Sequence, residues 1–416
     1  MNPVVVAAIE PGALPAAVRP LPYFRDWNDR ELHALAHHCQ QLDVTTPTLL
    51  LQPDDDNPHT HFLLRGEVRL EAPGERRTLQ AGSPDAGFPI ASLRPCPATL
   101  QALPGARLLQ VNTEALRRRQ RLTPAAPWDL PDDDSPWRTH PLVQQLLQQA
   151  RDRTLPLPEM PGIALRIRST LARKDFRLDE IAAIINGSPS VVSRLLKVAN
   201  SALFGTQTQC ESARSALMRL GVEKSQSIVT SLLLRDLFGS TVAQLRTRME
   251  KRWRHATEIA ALAATLAPLA PHLQPEHALL TGLLHEIGGL AVIRLVEANR
   301  VLLTEPELVQ VMLDALTPAL SGMMLESWGF DADVVAAARH QQHWFREQDG
   351  PADYADLLLL AHLHNQAPDR ARLELPRLDE TPAYARLRPG RLNPLGGLQV
   401  LADARSSIQE LKALLG

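Results

Sequence analysis

The chain has 416 residues, of which 44% are hydrophobic, so it can bury the cores of two or three domains. Its 44 basic and 46 acidic residues give a net charge of −2, which excludes a strongly basic nucleic-acid-binding protein. Apolar stretches such as "ADLLLLAHL" are shorter than the roughly 18 residues that cross a bilayer, so we expect no membrane span and a cytoplasmic location. The three cysteines, Cys39, Cys96 and Cys210, have neither disulfide nor zinc spacing.

The N-terminal part is predicted to be a loose tail followed by a β domain. Residues 1–20 are rich in Ala, Val and Pro without a period, which is typical of a flexible tail. Between Thr48 and Val111, short apolar runs such as "HFLLRGEVRLE" alternate with turn signals such as "PDDDNP" and "LPGA". This alternation indicates strands and hairpins of an antiparallel barrel or sandwich. We place the β domain at 21–122.

A linker and an all-α domain follow. The segment "TPAAPWDLPDDDSPW" combines four prolines with four acidic residues and predicts a linker at 123–140. Helical periodicity dominates 141–366, where Ser188 at an N-cap and Pro189 at the first helical position mark one helix start. The remaining residues, 367–416, are predicted to be a Pro-rich segment and one last helix.

The helical domain contains "LLKVANSALFG", "LMRLGVEK" and "ALLTGLLHEIGGLAV" in this order. From about Leu155 to Trp344 the sequence resembles the HDOD domain family. The resemblance implies a degenerate relative of the HD phosphohydrolases, which has generally lost metal-dependent activity and acts as a bacterial signalling module. The predicted fold class is therefore multidomain α+β, with an N-terminal β-roll or jelly-roll domain followed by an all-α HDOD (HD-like) domain.

Four residues stand at the metal-binding positions that the HD resemblance implies: His255 in "WRHATE", His285 and Glu286 adjacent on a predicted helix, and His362 in "LLLLAHLHN". HD phosphohydrolases use a His, a His-Asp pair and a later Asp to hold metals that activate water. The Glu of the pair carries its carboxylate roughly 1.5 Å further out, whereas metal ligands tolerate about 0.2 Å. His362 replaces the final carboxylate. We therefore expect no catalytic residue, no bound metal and no cofactor.

His340 and His343, in "AARHQQHWF", extend this set. At i and i+3 they are predicted to share one helical face and to line a His-rich cavity with His255 and His285. Three interpretations stay open: packing histidines bonded to backbone or carboxylates, a metal bound without turnover, and a working phosphohydrolase. We favour the first; the candidate metal ligands are His255, His285 and Glu286.

The β domain resembles the cyclic-nucleotide-binding fold over about Leu21 to Gln120, on "HFLLRGEVRLE" and "AGSPDAGFPIASLRPCPATLQAL". The resemblance implies a Gly-Glu pair that holds phosphate and ribose, and an Arg that neutralises the phosphate. Phe88 and Pro89 stand at the Gly-Glu positions, where Pro89 removes an amide donor. No Arg stands at the Arg position, and Arg94 is the one cation nearby that can bind an anion in a shifted frame. The predicted degenerate nucleotide pocket consists of Phe88, Pro89, Arg94 and Thr99.

The leading hypothesis is a non-enzymatic bacterial signal-transduction protein, whose HDOD domain binds partner proteins and whose sensor domain has lost its nucleotide. The partners expected from the family are signalling proteins such as cyclic-dinucleotide enzymes or two-component proteins; the oligomeric state stays open. The alternative is a metal-dependent phosphohydrolase or phosphodiesterase. A third hypothesis, DNA recognition by Ser188 to Asn200, is disfavoured because Val191, Leu195 and Val198 make that helix apolar.

Overall fold

The fold consists of an N-terminal β domain followed by helices, which confirms the predicted fold class. The computed structural model describes residues 3–25, 27–72, 75–122, 136–152, 154–173, 175–201, 209–240, 242–390, 392 and 396–415. Of the predicted linker at 123–140, residues 123–135 lie outside the described residues, and Pro136–Thr139 form a short 3-10 helix.

The β domain is built from two four-stranded antiparallel sheets. Its strands are β1 (Val4–Ala8), β2 (Cys39–Val44), β3 (Thr48–Leu51), β4 (His59–Arg65), β5 (Glu67–Ala72), β6 (Glu75–Gln80), β7 (Thr99–Ala102) and β8 (Arg107–Asn112). The strand orders are β1-β2-β8-β4 and β3-β7-β5-β6. Successive side chains of β4 enter different cores, because Leu63 packs between the sheets and Phe62 packs among the N-terminal helices.

The N-terminal residues belong to this β domain. Strand β1 pairs antiparallel with β2, and Val4 lies opposite Val44. Helix α1 (Leu14–Val18) buries Leu14 and Val18 completely. The prediction of a loose tail over 1–20 is therefore wrong for the described residues, because a Val-rich run also suits an edge strand. Two further helices, α2 (Asp29–Ala36) and α3 (Thr113–Leu122), complete the domain.

The helical region is organised around one long central helix. Its helices are α4 (Pro141–Arg151), α5 (Gly162–Leu171), α6 (Leu178–Asn186), α7 (Pro189–Ala199), α8 (Ala213–Leu220), α9 (Val222–Arg235), α10 (Ala243–Leu266), α11 (Pro275–Leu284), α12 (Gly289–Ala298), α13 (Pro306–Ser327), α14 (Ala332–Arg339) and α15 (Tyr354–Asn365). Helix α10 is central because Met249 and Trp253 pack in one apolar cluster while Ile259 and Leu262 pack in another. It contacts both α11 and α15.

The C-terminal residues pack against this region. They contain α16 (Pro382–Leu387), α17 (Gln399–Asp403) and α18 (Arg405–Leu415), so the single last helix predicted near the end is two helices. Arg386 of α16 donates to both carboxylate oxygens of the buried Asp356 in α15, at 2.6 and 2.8 Å. Lys412 of α18 forms an ion pair with Glu258 of α10. These pairs fasten the C-terminal helices to the two helices that approach each other in the centre of the region.

Among the described residues, two apolar segments are long enough to cross a membrane, which corrects the expectation that every apolar stretch is shorter than about 18 residues. They are Pro275–Ala298, which includes the turn between α11 and α12, and Pro306–Ser327. Within the most apolar window of each, 89% and 61% of the residues are buried inside the protein. Burial in the helical core is therefore a sufficient reason for their apolar composition.

Candidate functional site

The His-Glu pair of "LLHEIGG" lies in a turn between two helices. Helix α11 ends at Leu284, His285 occupies its C-cap, and α12 begins at Gly289. The expectation of a pair inside a helix is therefore wrong. The physical reason lies at Gly288, where an added Cβ would be 2.2 Å from Ser321 N and 2.4 Å from Thr317 O of α13. The turn is shaped by this close backbone approach, which only glycine permits.

The backbone of His285 is fixed by two polar side chains. Its carbonyl oxygen accepts hydrogen bonds from Ser321 Oγ at 2.6 Å and from Gln341 Nε2 at 2.8 Å. Ser321 Oγ in turn accepts from Gly288 N at 2.8 Å. These two residues hold the turn in place, and sequence reasoning missed both because neither belongs to a recognisable motif.

Three of the predicted residues come together in what we call the histidine pocket, defined by His255 of α10, His285 and His362 of α15. The ring centroids lie 5.9 Å apart for His255 and His285, 5.1 Å for His255 and His362, and 4.9 Å for His285 and His362. One ring nitrogen from each lies within 4.8 Å of the others. Three elements distant in sequence thus deliver three imidazoles to one point.

The buried nitrogens of this pocket keep free lone pairs. His285 Nδ1 donates to the carbonyl of Gly282 at 2.5 Å, which leaves Nε2 as the acceptor nitrogen of a neutral ring. Nε2 of His285 and Nε2 of His362 have no hydrogen-bond partner among the described residues. Burial lowers the pKa of His285 to about 4 and the pKa of His362 well below its usual value. Both rings are therefore neutral at neutral pH.

Glu286 is engaged outside the histidine pocket. Its carboxylate forms an ion pair with Arg252, one turn before His255 on α10, and Arg252 also reaches Asp314 at 3.3 Å. Burial alone would raise the pKa of Glu286, but Arg252 together with His285 and His255 outweighs burial, and the pKa lies below its usual value. Glu286 Oε1 is 3.8 Å from His285 Nε2, beyond hydrogen-bond range. The Arg252 partner was missed, although "KRWRHATE" places it at i−3 from His255.

His340 and His343 form a separate pair. Helix α14 ends at Arg339, His340 is its C-cap, and the two Nδ1 atoms lie 3.0 Å apart. Burial lowers the pKa of His340 to about 3 and that of His343 to about 4. Neither belongs to the two metal-compatible groups found among the described residues, which are the histidine pocket and the group of His277, Asp331 and Asp333. The expectation that they share a helical face and line the cavity with His255 and His285 is wrong, because the helix ends before the first of them.

In the β domain, Phe88 and Pro89 lie at the boundary with the helical region. Phe88 is buried and stacks on Phe345 with a ring-centroid distance of 6.1 Å, and Phe345 also contacts Tyr23. Pro89 lines a cavity of about 220 Å³ to which Phe345 and Arg386 also contribute. The Phe at the predicted phosphate position thus serves as a contact between the two regions.

Four of the five N–H donors of Arg94 are engaged by its own backbone surroundings. Its guanidinium donates to the backbone carbonyls of Asn57, His59, Ala91 and Leu93 at distances of 2.5 to 2.8 Å. These bonds make Arg94 a brace for its own loop; it also lines the cavity of about 220 Å³, and anion binding in a shifted frame stays a prediction. Thr99 begins β7 opposite Glu71 and is not among the described residues that line either cavity of the domain.

The HDOD domain family matches the chain over residues 157–344. These residues are an HDOD domain. The domain contains His255, the His285-Glu286 turn and the His340-His343 pair, whereas His362 lies in α15, beyond the matched residues. The histidine pocket is therefore made jointly by the HDOD domain and the helix that follows it.

Three proteins of known sequence or structure are similar to the chain. The crystal structure of a candidate metal-dependent phosphohydrolase from Shewanella amazonensis SB2B is 26% identical, covers 67% of this chain and 99% of its own, and has a TM-score of 0.57. An uncharacterized protein of Treponema pallidum (strain Nichols) is 22% identical over 223 residues, which are 51% of this chain and only 42% of that protein. A cyclic nucleotide-binding domain from Methylobacillus flagellatus KT is 17% identical and covers 38% of this chain and 93% of its own, with a TM-score of 0.25.

The donors of the histidine pocket fit one metal ion and do not fit a two-metal centre. Three imidazole nitrogens within 4.8 Å of one another can converge on one transition-metal ion, for which neutral imidazole is a suitable ligand. The hydrogen bond from His285 Nδ1 to Gly282 orients that ring as in known metal sites. A two-metal centre requires carboxylates, and Glu286 is occupied by Arg252. When bound, one ion in this pocket would act as a Lewis acid or as a cross-link between α10, α11 and α15.

Proposed function

We propose that the chain is a non-enzymatic regulatory protein of bacterial signal transduction, in which the HDOD domain acts as a protein-interaction module. The observation that carries the proposal is the pairing of Glu286 with Arg252, together with the histidine at the later carboxylate position. Metal-dependent phosphodiester hydrolysis uses anionic ligands that neutralise the metals and hold the attacking water. Among the described residues, the histidine pocket supplies neutral ligands instead.

Hydrolysis assays on the purified full chain test the absence of turnover. We expect no hydrolysis of bis-nitrophenyl phosphate or of cyclic dinucleotides when manganese, iron or nickel is supplied. Arg252→Met is the matched variant, because it releases Glu286 and leaves the three histidines unchanged. We expect it to be inactive as well, since the final carboxylate is still a histidine. Turnover by the natural chain that His285→Ala abolishes would contradict the proposal.

The interaction role is supported by exposed apolar side chains on the HDOD domain. Leu165 of α5 and Met218 of α8 are 52% and 63% exposed, and large apolar side chains on a surface mark contact sites when a partner buries them. We expect the immobilised full chain to enrich cytoplasmic signalling proteins, namely cyclic-dinucleotide enzymes or two-component proteins, and neither DNA nor membrane. Leu165→Glu with Met218→Glu should abolish this capture, whereas Val5→Glu, at a position 53% exposed in the β domain, should preserve it. Capture that survives the double change would place the contact elsewhere.

A metal-dependent phosphohydrolase is the second candidate. Two observations favour it: the convergence of three imidazoles in the histidine pocket, and the similarity to a structure named as a candidate metal-dependent phosphohydrolase. The two candidates differ in metal content. Elemental analysis should find no more than one ion per chain for a regulatory module, and two ions that co-purify stoichiometrically would favour the enzyme.

A further inference from the structure

A second pocket lies in the β domain, away from the histidines. This cavity of about 70 Å³ lies between strands β5 and β6 and the 91–98 loop. Its wall is formed mainly by Leu70, Ala72, Ala91, Ala98 and one cation, Arg77. The wall is completed from far along the chain by Asp379 and Glu380. We call this the Arg77 pocket.

Arg77 lies within 4.0 Å of three carboxylates, those of Glu75, Asp85 and Glu380. It extends from β6, forms an ion pair with Glu380, and lies 3.3 Å from Asp85 with its Nη1 atom. The side chains of Arg77 and Glu380 are only 16% and 12% exposed. A charge-assisted pair at this depth is shielded from salt far better than a surface pair. Sequence reasoning missed Arg77, because it searched for the cation in the 88–97 segment.

The turn that carries Asp379 and Glu380, together with residues 370–378 before it, is held from both sides. Towards the β domain, Arg370 donates to Asp85 at 2.6 Å and Arg377 donates to Glu75 at 3.2 Å. Towards the helical region, Leu378 is buried in the same apolar cluster as residues of α10 and α15. The segment 370–380 therefore connects the Arg77 pocket with α10 and α15, the helices that carry His255 and His362.

We propose that the Arg77 pocket is a carboxylate-binding site of the β domain, and that its resident ligand is Glu380 of the same chain. The bound turn fixes the β domain against the helical region. A soluble carboxylate that displaces Glu380 would release the contact between Arg77 and this turn and leave the contacts of Arg370 and Arg377, so the site links ligand binding in the β domain to the position of the turn. The proposal is independent of whether the HDOD domain hydrolyses phosphodiesters.

The energetics of the contact suit a releasable ligand. Burial raises the pKa of Glu380 above its usual value, although the Arg77 guanidinium acts in the opposite direction. Desolvation of a buried pair consumes most of its attraction, so such a pair is close to balance. A contact close to balance can be displaced by a competing anion without unfolding the domain.

The chain offers a matched control on the same boundary. Arg25 of the β domain forms an ion pair with Glu374, but these side chains are 61% and 50% exposed. Glu374→Gln and Glu380→Gln remove the same charge without changing side-chain size. In hydrogen exchange of the full chain, we expect the backbone amides of the 91–98 loop and β6 to exchange about tenfold faster in Glu380→Gln. We expect a change of less than about twofold in Glu374→Gln. Equal exchange in the two variants would overturn the proposal.

Chemical rescue tests the ligand class directly. Glu380→Ala removes the atoms of an acetate ion, so sodium acetate should slow the exchange of the 91–98 loop again in this variant. Sodium chloride at the same ionic strength should not. In Glu380→Ala with Arg77→Met, acetate should have no effect, because the cation is gone. Rescue that persists without Arg77, or no rescue in the single variant, would show that the pocket is not a carboxylate site.

Discussion

The histidine pocket of the HDOD domain and the Arg77 pocket of the β domain both remove ionisable side chains from water, and they satisfy them in opposite ways. In the histidine pocket three groups of one kind meet, and two buried ring nitrogens have no partner among the described residues. In the Arg77 pocket groups of opposite charge meet, and Arg77 pairs with Asp85 and Glu380. A buried polar atom without a partner costs free energy until a ligand satisfies it. The first pocket therefore favours an incoming ligand, whereas the second already holds one from its own chain.

The largest expected effect concerns the turn that presents His285. Gly288→Ala would place a Cβ 2.2 Å from Ser321 N, so the turn or α13 has to move. We expect the free energy of unfolding to fall by about 3 kcal/mol, measured by urea denaturation. Gly162→Ala is the control, because nothing lies within 4 Å of a Cβ at that position. If the two variants unfold at the same urea concentration, the turn that presents His285 does not depend on its close packing against α13.

Acid should destabilise the histidine pocket next most strongly. The pKa of His285 falls from 6.5 to about 4 in the folded chain because of burial. As the pH falls, the unfolded chain takes up a proton that the native chain does not, so stability is complete above 6.5 and is lost on approaching 4. Between about pH 7 and pH 5 this one group should cost about 2 kcal/mol of unfolding free energy. His285→Gln should reduce this pH dependence; an unchanged dependence would mean that the ring is not buried as a neutral group.

Zinc should stabilise the native chain through the histidine pocket by a smaller free energy than acid removes. An ion that binds only the native chain at a concentration of about 10 times its dissociation constant adds about 1.4 kcal/mol, which raises the melting temperature by a few degrees. We expect this shift with zinc, its reversal by a chelator, and its loss in His362→Phe. Magnesium, which prefers oxygen ligands, should have no effect. A zinc shift that survives in His362→Phe would mean that the ion binds outside the histidine pocket.

The last prediction is that cyclic nucleotides have no effect. Cyclic AMP and cyclic GMP should produce no binding heat with the natural chain, because Arg94 donates only to backbone carbonyls and Glu380 occupies Arg77. Loss of the phosphate contact is sufficient to move a micromolar site into the millimolar range. Calorimetry that detects micromolar affinity for either nucleotide would contradict this prediction. The contrast with the histidine pocket would then fail, because the Arg77 pocket would not be closed to ligands by Glu380.

Motifs in the sequence predicted the trio of histidines but not their surroundings. The structure brings His362 of "LLLLAHLHN" together with His255 and His285, the residues to which the family resemblance also assigns metal-binding positions. The pairing of Glu286 with Arg252 joins a turn to another helix, and no local pattern encodes which cation reaches a given carboxylate. Glu380 lies 303 residues after Arg77, a separation at which chain geometry alone decides contact.

Local sequence signals also gave wrong predictions where the same amino-acid composition is compatible with two different structures. The Val-rich start of the chain is suitable for a tail or an edge strand, and only pairing with β2 decides between them. Ser188 occupies the predicted N-cap of α7, yet its side chain makes no capping hydrogen bond. Helix α14 ends before His340 and His343, but no Gly or Pro lies between Arg339 and His343, so the sequence carries no signal for this helix end.

The position of α15 beyond the family match has a practical consequence for dissecting the protein. A truncation after residue 344 would keep His255 and His285 and discard the third imidazole, exposing apolar faces of α10 and α11 that α15 now covers. A fragment ending after α15 would still lack Arg386, which pairs with the buried Asp356 at the start of that helix together with Arg346. A fragment that retains the histidine pocket and this ion pair therefore extends at least through α16, well past residue 344, where the family match ends.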